Sequence, residues 1–498
     1  MCHKIRFLKN ISPYIIALYL LGILLLLSLP VYWMPKDGIT IGNMKLHFAN
    51  LESLSTDKKI EKKDINSIIQ NLDTTMQVAR IDTTQIQKTD SLVAKKIDSV
   101  KPVKKDTIPA MVKLEMNAKA KSYLHDFFKK ISQTKRLSVL HYGDSQIESD
   151  RITSYLRQKM QLQFGGYGVG MIPATDIFNS FSFNQTYSNN FKRYTIFGGK
   201  KLKSKRYGAM ASASRFTAEM DTAKVNLDSL PNQTAWIQVA PSKRAYSHSR
   251  NFTRVTLHYN DCVVPVKLKV TQNQKVIKEA DLITDAKQHA LTLTFSKTPE
   301  NLKFEFSGKI SPNICGFTLQ GNSGLTLSNI ALRGSDGMVF RRMKYANMSA
   351  MMHQDNTQMV FMQFGGNSVV YFKDSTQVHN YANWYKRQIQ TVRKAMPGKM
   401  IVVIGPSDMS KLNGTTHETY PFLPYTVSEM KRAALEADAA YWDLYAAMGG
   451  YNSMPAWVEK RLAANDYIHF SNKGAKFAAQ LFWNAFWAEY VQWKKSNK

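Results

Sequence analysis

The sequence predicts an α/β fold: a mostly parallel sheet, interrupted by an inserted antiparallel β-sandwich and preceded by one transmembrane helix. Three observations carry this expectation. Short apolar runs closed by Gly-containing turns recur on either side of residues 173–330, each followed by a stretch of helical period. Such runs read as parallel strands buried on both faces. Between them the texture changes to alternating apolar and polar residues with Asn, Gly and Pro turns, as in antiparallel strands. Finally, no residue from Asn10 to Pro35 is charged.

Within that run, Tyr14 to Met34 gives 21 residues, enough at 1.5 Å each to span a hydrocarbon layer of roughly 30 Å. Lys4, Arg6 and Lys9 precede it, and Tyr32 and Trp33 stand where an interfacial belt belongs. The N-terminus is therefore expected in the cytoplasm and everything after Lys36 outside it. A cleaved signal peptide fits less well: the apolar run is too long, and no small-residue cleavage site follows Ser28-Leu29-Pro30. The expected organisation is a tip and anchor at 1–36, touching the inner (plasma) membrane through residues 11–35, and a disordered linker at 37–110. An α/β domain in two pieces, 111–172 and 331–498, and the sandwich at 173–330 follow.

The linker reading rests on composition. Residues 51–110 contain no Gly, Trp, Tyr or Phe and are rich in Lys, Asp, Thr, Ser and Ile, so they can bury little surface. A flexible chain of that length averages on the order of 45 Å end to end. One weak helix is expected around Ile65–Val78. Order resumes near Met111, with a helix at 115–133. The run Leu137–Tyr142, closed by Gly143-Asp144-Ser145, reads as a buried strand, and Ser149–Gln163 as the helix after it. In the middle module, 235–239, 255–259, 291–295 and 302–306 read as strands. Beyond it, Met359–Phe364 reads as a strand closed by Gly365-Gly366-Asn367. Val378–Ala395 reads as a helix stopped by Pro397-Gly398, and Met400–Ile404 as a further buried strand. Helices are expected at 427–437 and 472–494.

The chain has 498 residues, with 67 Lys and Arg against 37 Asp and Glu, a net charge of +30. Its 44% apolar content supports a packed core, which excludes a wholly disordered chain. Three cysteines exclude a disulfide-stapled miniprotein or a multi-zinc array. The positive charge fits nucleic acid, an anionic surface or an anionic polymer. An extracytoplasmic location sets nucleic acid aside as a partner. No His/Cys cluster has metal-ligand spacing, so neither a metal nor another cofactor is expected.

Three motifs carry chemistry: Gly143-Asp144-Ser145, Gly365-Gly366-Asn367 and Asp466-Tyr467-Ile468-His469. Each alone is weak; their placement at strand ends and before the last helix gives them weight. A serine hydroxyl is inert at neutral pH unless a base takes its proton. His469 is the candidate base and Asp466, three residues earlier, the acid that orients it. Donors for a tetrahedral oxyanion are the Asn367 amide, the Ser145 backbone N–H and a loop glycine.

In these motifs the chain resembles the SGNH (GDSL-like) hydrolase superfamily. Its first block matches Gly143-Asp144-Ser145, with Ser145 as nucleophile. Its second block best matches Asn329–Gly334, which makes Gly334 the oxyanion glycine. Its third matches Gly365, Gly366 and Asn367, although Ser368 stands where Asp is usual. Its fifth matches Asp466 and His469, and the usual continuation is present as Ser471-Asn472-Lys473-Gly474. The resemblance covers roughly residues 135–172 and 330–495. It implies a flavodoxin-like three-layer α/β domain and an esterase with the triad Ser145, His469 and Asp466. The inserted sandwich is similar to the arrangement in periplasmic peptidoglycan O-acetylesterases. That implies removal of O-acetyl groups from an acylated envelope glycan, the sandwich positioning the carbohydrate. A polysaccharide O-acetyltransferase using the same triad, served by a membrane-bound acyltransferase, and a catalytically silent glycan-binding protein are the alternatives.

Each site residue has a plainer reading. Ser145 could merely cap a helix, and His469 could be an ordinary half-buried histidine. Asp144 reads as the holder of its turn rather than a second catalytic acid. Gly334 has rivals in Gly337 and in the Gly165-Gly166-Tyr167-Gly168 cluster, which lacks the Lys-Ser/Thr of a phosphate loop. His141 and Tyr142 read as core or rim. Residues 192–206 carry seven cations interleaved with aromatics. They form a solvated loop or, through Lys200, Lys201, Lys203 and Arg206, contacts to an anionic glycan or lipid surface. Cys262 and Cys315 fall in the insert, where an oxidising compartment permits a disulfide; two free buried thiols are the other reading.

Overall fold

The computed structural model describes residues 12–28, 39–41, 44–46, 63–69, 111–133 and 136–497. The chain divides into a unit of Met1–Glu61 with Leu412–Thr416 and a unit of Lys62–Lys411 with His417–Lys498. In the first unit, Pro13–Ser28 is an uncharged 16-residue helix whose described side chains are mostly exposed, and Ile39–Ile41 pairs antiparallel with Met44–Leu46. Sixteen residues rise about 24 Å. Among the described residues no helix is long and apolar enough to cross a membrane. The apolar run that the sequence extends to Met34 continues outside the described residues.

The second unit is built on a five-stranded parallel sheet. Numbered in chain order, its strands are β1 (Leu137–Gly143), β2 (Leu325–Ala331), β3 (Thr357–Gln363), β4 (Met400–Ile404) and β5 (Ala440–Trp442). Their spatial order is 2-1-3-4-5, every neighbour parallel. β1 to β4 are buried along nearly their whole length, as their apolar runs require. Alternate side chains serve opposite faces. Val139, Leu327, Phe361, Val402 and Trp442 pack with Leu124 and Phe128 of the Ala118–Ile131 helix, Leu156 of Thr153–Phe164, and Phe482 and Phe486 of Asn472–Ser496. Leu140, Tyr142, Ile330, Met362, Val403 and Tyr441 pack with Met348 of Tyr345–Gln354, Tyr385 of Ser375–Ala395 and Met430 of Leu423–Glu436. The result is three layers. Phe482 meets Phe361 and Trp442 edge-on, each at 5.2 Å between ring centres, so burying it contributes roughly 1.5–3 kcal/mol.

The insert is a sandwich of two antiparallel sheets around its own core, which includes Ile237, Leu257, Phe304 and Phe317. The first sheet runs Lys275–Asp281, Val266–Gln272, Leu302–Gly308, Gln233–Pro241 and Phe183–Tyr187. The second runs His289–Thr294, Arg254–Asn260, Asn313–Gln320, Ser212–Arg215 and Lys192–Thr195. Its ends are tied together, because Gly170–Pro173 pairs with Gly316–Leu319. The boundaries at 173 and 330 therefore need correcting. Gly170–Pro173 already belongs to the sandwich, while Leu325–Ala331 is β2 of the parallel sheet. The polar Thr326, Ser328 and Asn329 give β2 an alternation that reads as antiparallel. The Gly165–Gly168 cluster is the seam between the two parts: a Cβ on Gly166 would lie 2.2 Å from the Leu325 carbonyl oxygen, and Leu325 N–H donates to the Gly165 carbonyl at 3.1 Å. Close backbone approach, not a phosphate, accounts for Gly166 and for Gly168, where a Cβ would lie 2.2 Å from the Leu319 carbonyl oxygen.

The linker expectation needs a second correction. Residues 63–69 pack on the α/β domain, with Ile65 only 2% exposed. Asp64 accepts the Asn66 N–H at 2.8 Å and caps a single turn at residues 66–69. Ile65, Ile68 and Ile69 stand at i, i+3 and i+4, an apolar stripe the polar surroundings obscure. The rest of the Ile65–Val78 helix lies outside the described residues.

Candidate active site

In a 2-1-3-4-5 sheet the strand order reverses between β1 and β3, and a crevice opens beyond their C-terminal ends. Ser145 stands after β1 and Asn367 after β3. Ser145 opens a short 3-10 turn, Ser145–Asp150, whose cap is Asp144; its carboxylate accepts the Gln146 N–H at 2.9 Å. Asp144 thus holds the turn, and burial pushes its carboxyl up to about 6 against the pull of the Gln146 N–H, His469 and Arg151. The turn is strained, with Ser149 and Asp150 at φ of 56° and 67°. Buried Asp150 anchors it through a two-bonded ion pair with Arg157 at 2.7 and 3.0 Å.

His469 comes from the loop before the last helix. Ser145 Oγ donates to His469 Nε2 at 2.8 Å, and His469 Nδ1–H donates to Asp466 Oδ2 at 2.8 Å. The other Asp466 oxygen accepts the backbone N–H groups of Ile468 and His469 at 2.9 and 3.0 Å. Burial alone would raise the Asp466 carboxyl. The His469 N–H, the His469 ring and the Ile468 N–H outweigh it and hold the group below its ordinary value. Beyond the loop, Ser471 caps the last helix by accepting the Gly474 N–H at 3.1 Å. A Cβ on Gly474 would sit 1.7 Å from the Leu462 carbonyl oxygen, so this turn of the helix docks only as glycine.

Two residues that the sequence reading passed over fasten serine and histidine together. Gln146 Nε2 donates to the Ile468 carbonyl at 2.7 Å, and its Oε1 accepts the Phe470 N–H at 3.3 Å, gripping the backbone on both sides of His469. Arg151 donates to the carbonyls of Ser145 at 2.6 Å and Phe470 at 3.2 Å. Their only sequence signal is proximity to Ser145; the Ile468 and Phe470 backbone they hold lies more than 300 positions away.

The loop after β2 supplies the third side. Leu332 N–H donates to the Gly143 carbonyl at 2.8 Å, and Arg333 makes a double ion pair with Glu148, both contacts 2.6 Å. Gly334 follows at φ +75°. Asn367 Nδ2 donates to the Ser335 carbonyl at 3.1 Å, which fixes the amide and leaves its second N–H for another acceptor. Gly334 and Asn367 both line a groove of about 520 Å³. Ser145 N–H, Gly334 and Asn367 thus stand on three segments at one sheet edge, a set able to stabilise an oxyanion.

Other candidates lie elsewhere. His141 is fully buried, bonded to Gln363 and Thr153, and burial lowers it to about 3. Arg206 is taken up by Asp261 at 2.9 Å, and Lys200, Lys201 and Lys203 are exposed and do not line the groove; the basic segment's contribution there is Phe197. Cys262 and Cys315 are both free and buried. Burial pushes the Cys262 thiol up to about 11. Among the described residues, no group of three His, Cys, Asp or Glu could hold a metal ion.

The family model of GDSL-like lipases and acylhydrolases matches residues 302–482. That span takes in Gly334, Asn367, Asp466 and His469; Ser145 lies before it, across the insert. A solved structure of a peptidoglycan O-acetylesterase shares 16% identity, covers 76% of this chain and 99% of its own, and superposes with a TM-score of 0.59. At that identity the likeness speaks for the fold alone. A family two carbohydrate esterase from Clostridium thermocellum in complex with cellohexaose matches at 10% identity over 62% of this chain and 100% of its own, TM-score 0.25. A salicylyl-acyltransferase from a tetracycline biosynthetic pathway matches at 11% over 64% and 96%, TM-score 0.27. No curated protein matches. Residues 302–482 thus match a GDSL-like acylhydrolase domain. The chain is by class a hydrolytic esterase.

Proposed function

We propose that this protein is a membrane-anchored serine esterase that removes O-acetyl groups from a cell-envelope carbohydrate. The observation that carries the reading is the bonded chain from Ser145 Oγ to His469 to Asp466. Ser145 Oγ attacks the acyl carbonyl carbon while His469 Nε2 takes its proton. The negative oxygen meets the Ser145 N–H, the Gly334 N–H and the Asn367 amide. Collapse expels the sugar oxygen, which takes the proton back from His469 and leaves an acetyl ester on Ser145. Water, deprotonated by His469, attacks that ester; acetate departs and Ser145 recovers its proton. Asp466 stays ionised and stabilises the imidazolium throughout.

Location and substrate rest on other supports. The uncharged N-terminal run, with its preceding cations, supports an anchor in the plasma membrane and a catalytic unit on the extracytoplasmic side. The +30 charge suits an anionic membrane surface. The fold's likeness to a peptidoglycan O-acetylesterase supports an acetylated glycan.

The test uses the full chain in detergent and follows acetate release from 4-nitrophenyl acetate and from O-acetylated envelope glycan. Release that disappears in Ser145→Ala is expected. Release that persists in Ser145→Ala, or none from the folded wild type, refutes the reading. Acetyl appearing on an added glycan rather than in solution assigns the acyl-enzyme to transfer.

A further inference from the structure

The groove beside Gly334 and Asn367 is unusual for its surface chemistry. Tyr371 is 76% exposed and Trp384 54%, and both line it, with Phe197, Phe372 and Tyr381. Trp384 sits on the Ser375–Ala395 helix, on the face that carries Gln377 and Asn380, while Val378, Tyr385 and Ile389 of the same helix go to the core. Tyr371 comes from the turn before that helix. Two large rings held open to water, in a concavity with amides converging on it, match one kind of ligand well. A pyranose offers an apolar C–H face for stacking and equatorial hydroxyls for hydrogen bonds.

Charge narrows the class. The chain carries +30, yet among the described residues no Lys or Arg lines the groove, and the one charged lining residue is Asp336. A uronate or phosphate there would face a carboxylate without a neutralising cation, a mismatch that disfavours anions. We propose that this groove is a subsite for an uncharged pyranose ring adjoining the acetylated sugar, stacked on Tyr371 and Trp384 and hydrogen-bonded by Asn380, Gln377 and Asp336. This deepens the esterase reading and rests on it only for the position of the acetylated neighbour.

Intrinsic fluorescence titration of the full chain in detergent tests it with two probes, chitotetraose as the uncharged ligand and tetragalacturonate as the anionic one. Chitotetraose is expected to bind at least tenfold more tightly than tetragalacturonate. Trp384→Ala and Tyr371→Ala are each expected to weaken it about tenfold, and Trp384→Phe by less. Tyr451→Ala, an exposed aromatic outside the groove, serves as the control and should change nothing; thermal unfolding confirms that each variant is folded. For the alanine variants binding is read by saturation-transfer NMR, so that loss of the fluorophore does not matter. No chitotetraose binding, equal binding of the anion, or unchanged affinity in both alanine variants overturns the proposal. Sugar binding that needs Trp384 in a protein that releases no acetate refutes the esterase reading alone. Acetate release that needs Ser145, with sugar binding indifferent to Trp384 and Tyr371, refutes the subsite alone.

Discussion

Replacing Gln146 by alanine removes both grips on the backbone around His469. The Ile468 carbonyl and the Phe470 N–H each lose their side-chain partner, at 2.7 and 3.3 Å, while every atom of Ser145, His469 and Asp466 remains. A neutral hydrogen bond contributes about 1 kcal/mol net, so the loop loses about 2 kcal/mol of ordering. If that loss falls on the transition state, kcat drops roughly 30-fold, at one decade per 1.36 kcal/mol. Gln146→Glu keeps an acceptor for Phe470 N–H and loses the donor to Ile468, about 1 kcal/mol, so a roughly fivefold fall is expected of it. The assay is kcat and KM on 4-nitrophenyl acetate, with circular dichroism to verify folding. Because Gln146 holds the base and not the ester, KM should stay within twofold. A Gln146→Ala enzyme with wild-type kcat, or one altered only in KM, would show that the loop holds His469 without it.

Further outcomes follow from other contacts. Asn367→Ala withdraws the amide proposed as an oxyanion donor and is expected to lower kcat by about 10²–10³, read in the same assay; a change under threefold removes Asn367 from that role. Asp144 titrates at about 6 in the folded chain against an ordinary 3.8. The stability its protonated form supports is therefore complete below pH 3.8 and lost as pH rises through 6. Relative to wild type, Asp144→Asn should gain roughly 2 kcal/mol between pH 4 and pH 7, measured by denaturant unfolding; a gap independent of pH contradicts this. Ile65→Ala empties a buried site and should destabilise the second unit by roughly 2–5 kcal/mol, whereas a truly unstructured linker would give no change in unfolding.

The sequence reading was most reliable where burial is continuous. β1, β3 and β4 are apolar along their length, so their positions, and those of the turns carrying Ser145 and Asn367, follow from pattern. β2 escapes the pattern because its polar residues find partners in the interior: Ser328 Oγ accepts the Met171 N–H at 2.8 Å and Asn329 Oδ1 accepts the Thr153 hydroxyl at 2.9 Å. The 2-1-3-4-5 order is a matter of which strands become neighbours, and periodicity carries no such information. Gln146 and Arg151 act across more than 300 positions, which local motifs cannot reveal. The basic segment drew attention through its lysines, although Phe197 is the residue it lends to the groove. In Ile65–Ile69 the apolar stripe is one turn long, too short to stand out from its charged surroundings.

The pairing of Gly170–Pro173 with Gly316–Leu319 has a consequence for how the chain folds. β1 is an interior strand of its sheet, yet both its neighbours come later in the chain, beyond the whole sandwich. Joining β1 to β2 through a slack segment of that size would cost about 2 kcal/mol more than through one of ten residues, by loop-closure entropy. Once the sandwich has folded and drawn its two ends together, that excess disappears, and the connection behaves as a short one. An insert that closes before the sheet would act as a clasp, setting β2 beside β1 without the entropy of a slack loop, so that the loop carrying His469 meets a serine placed more than 300 positions before it.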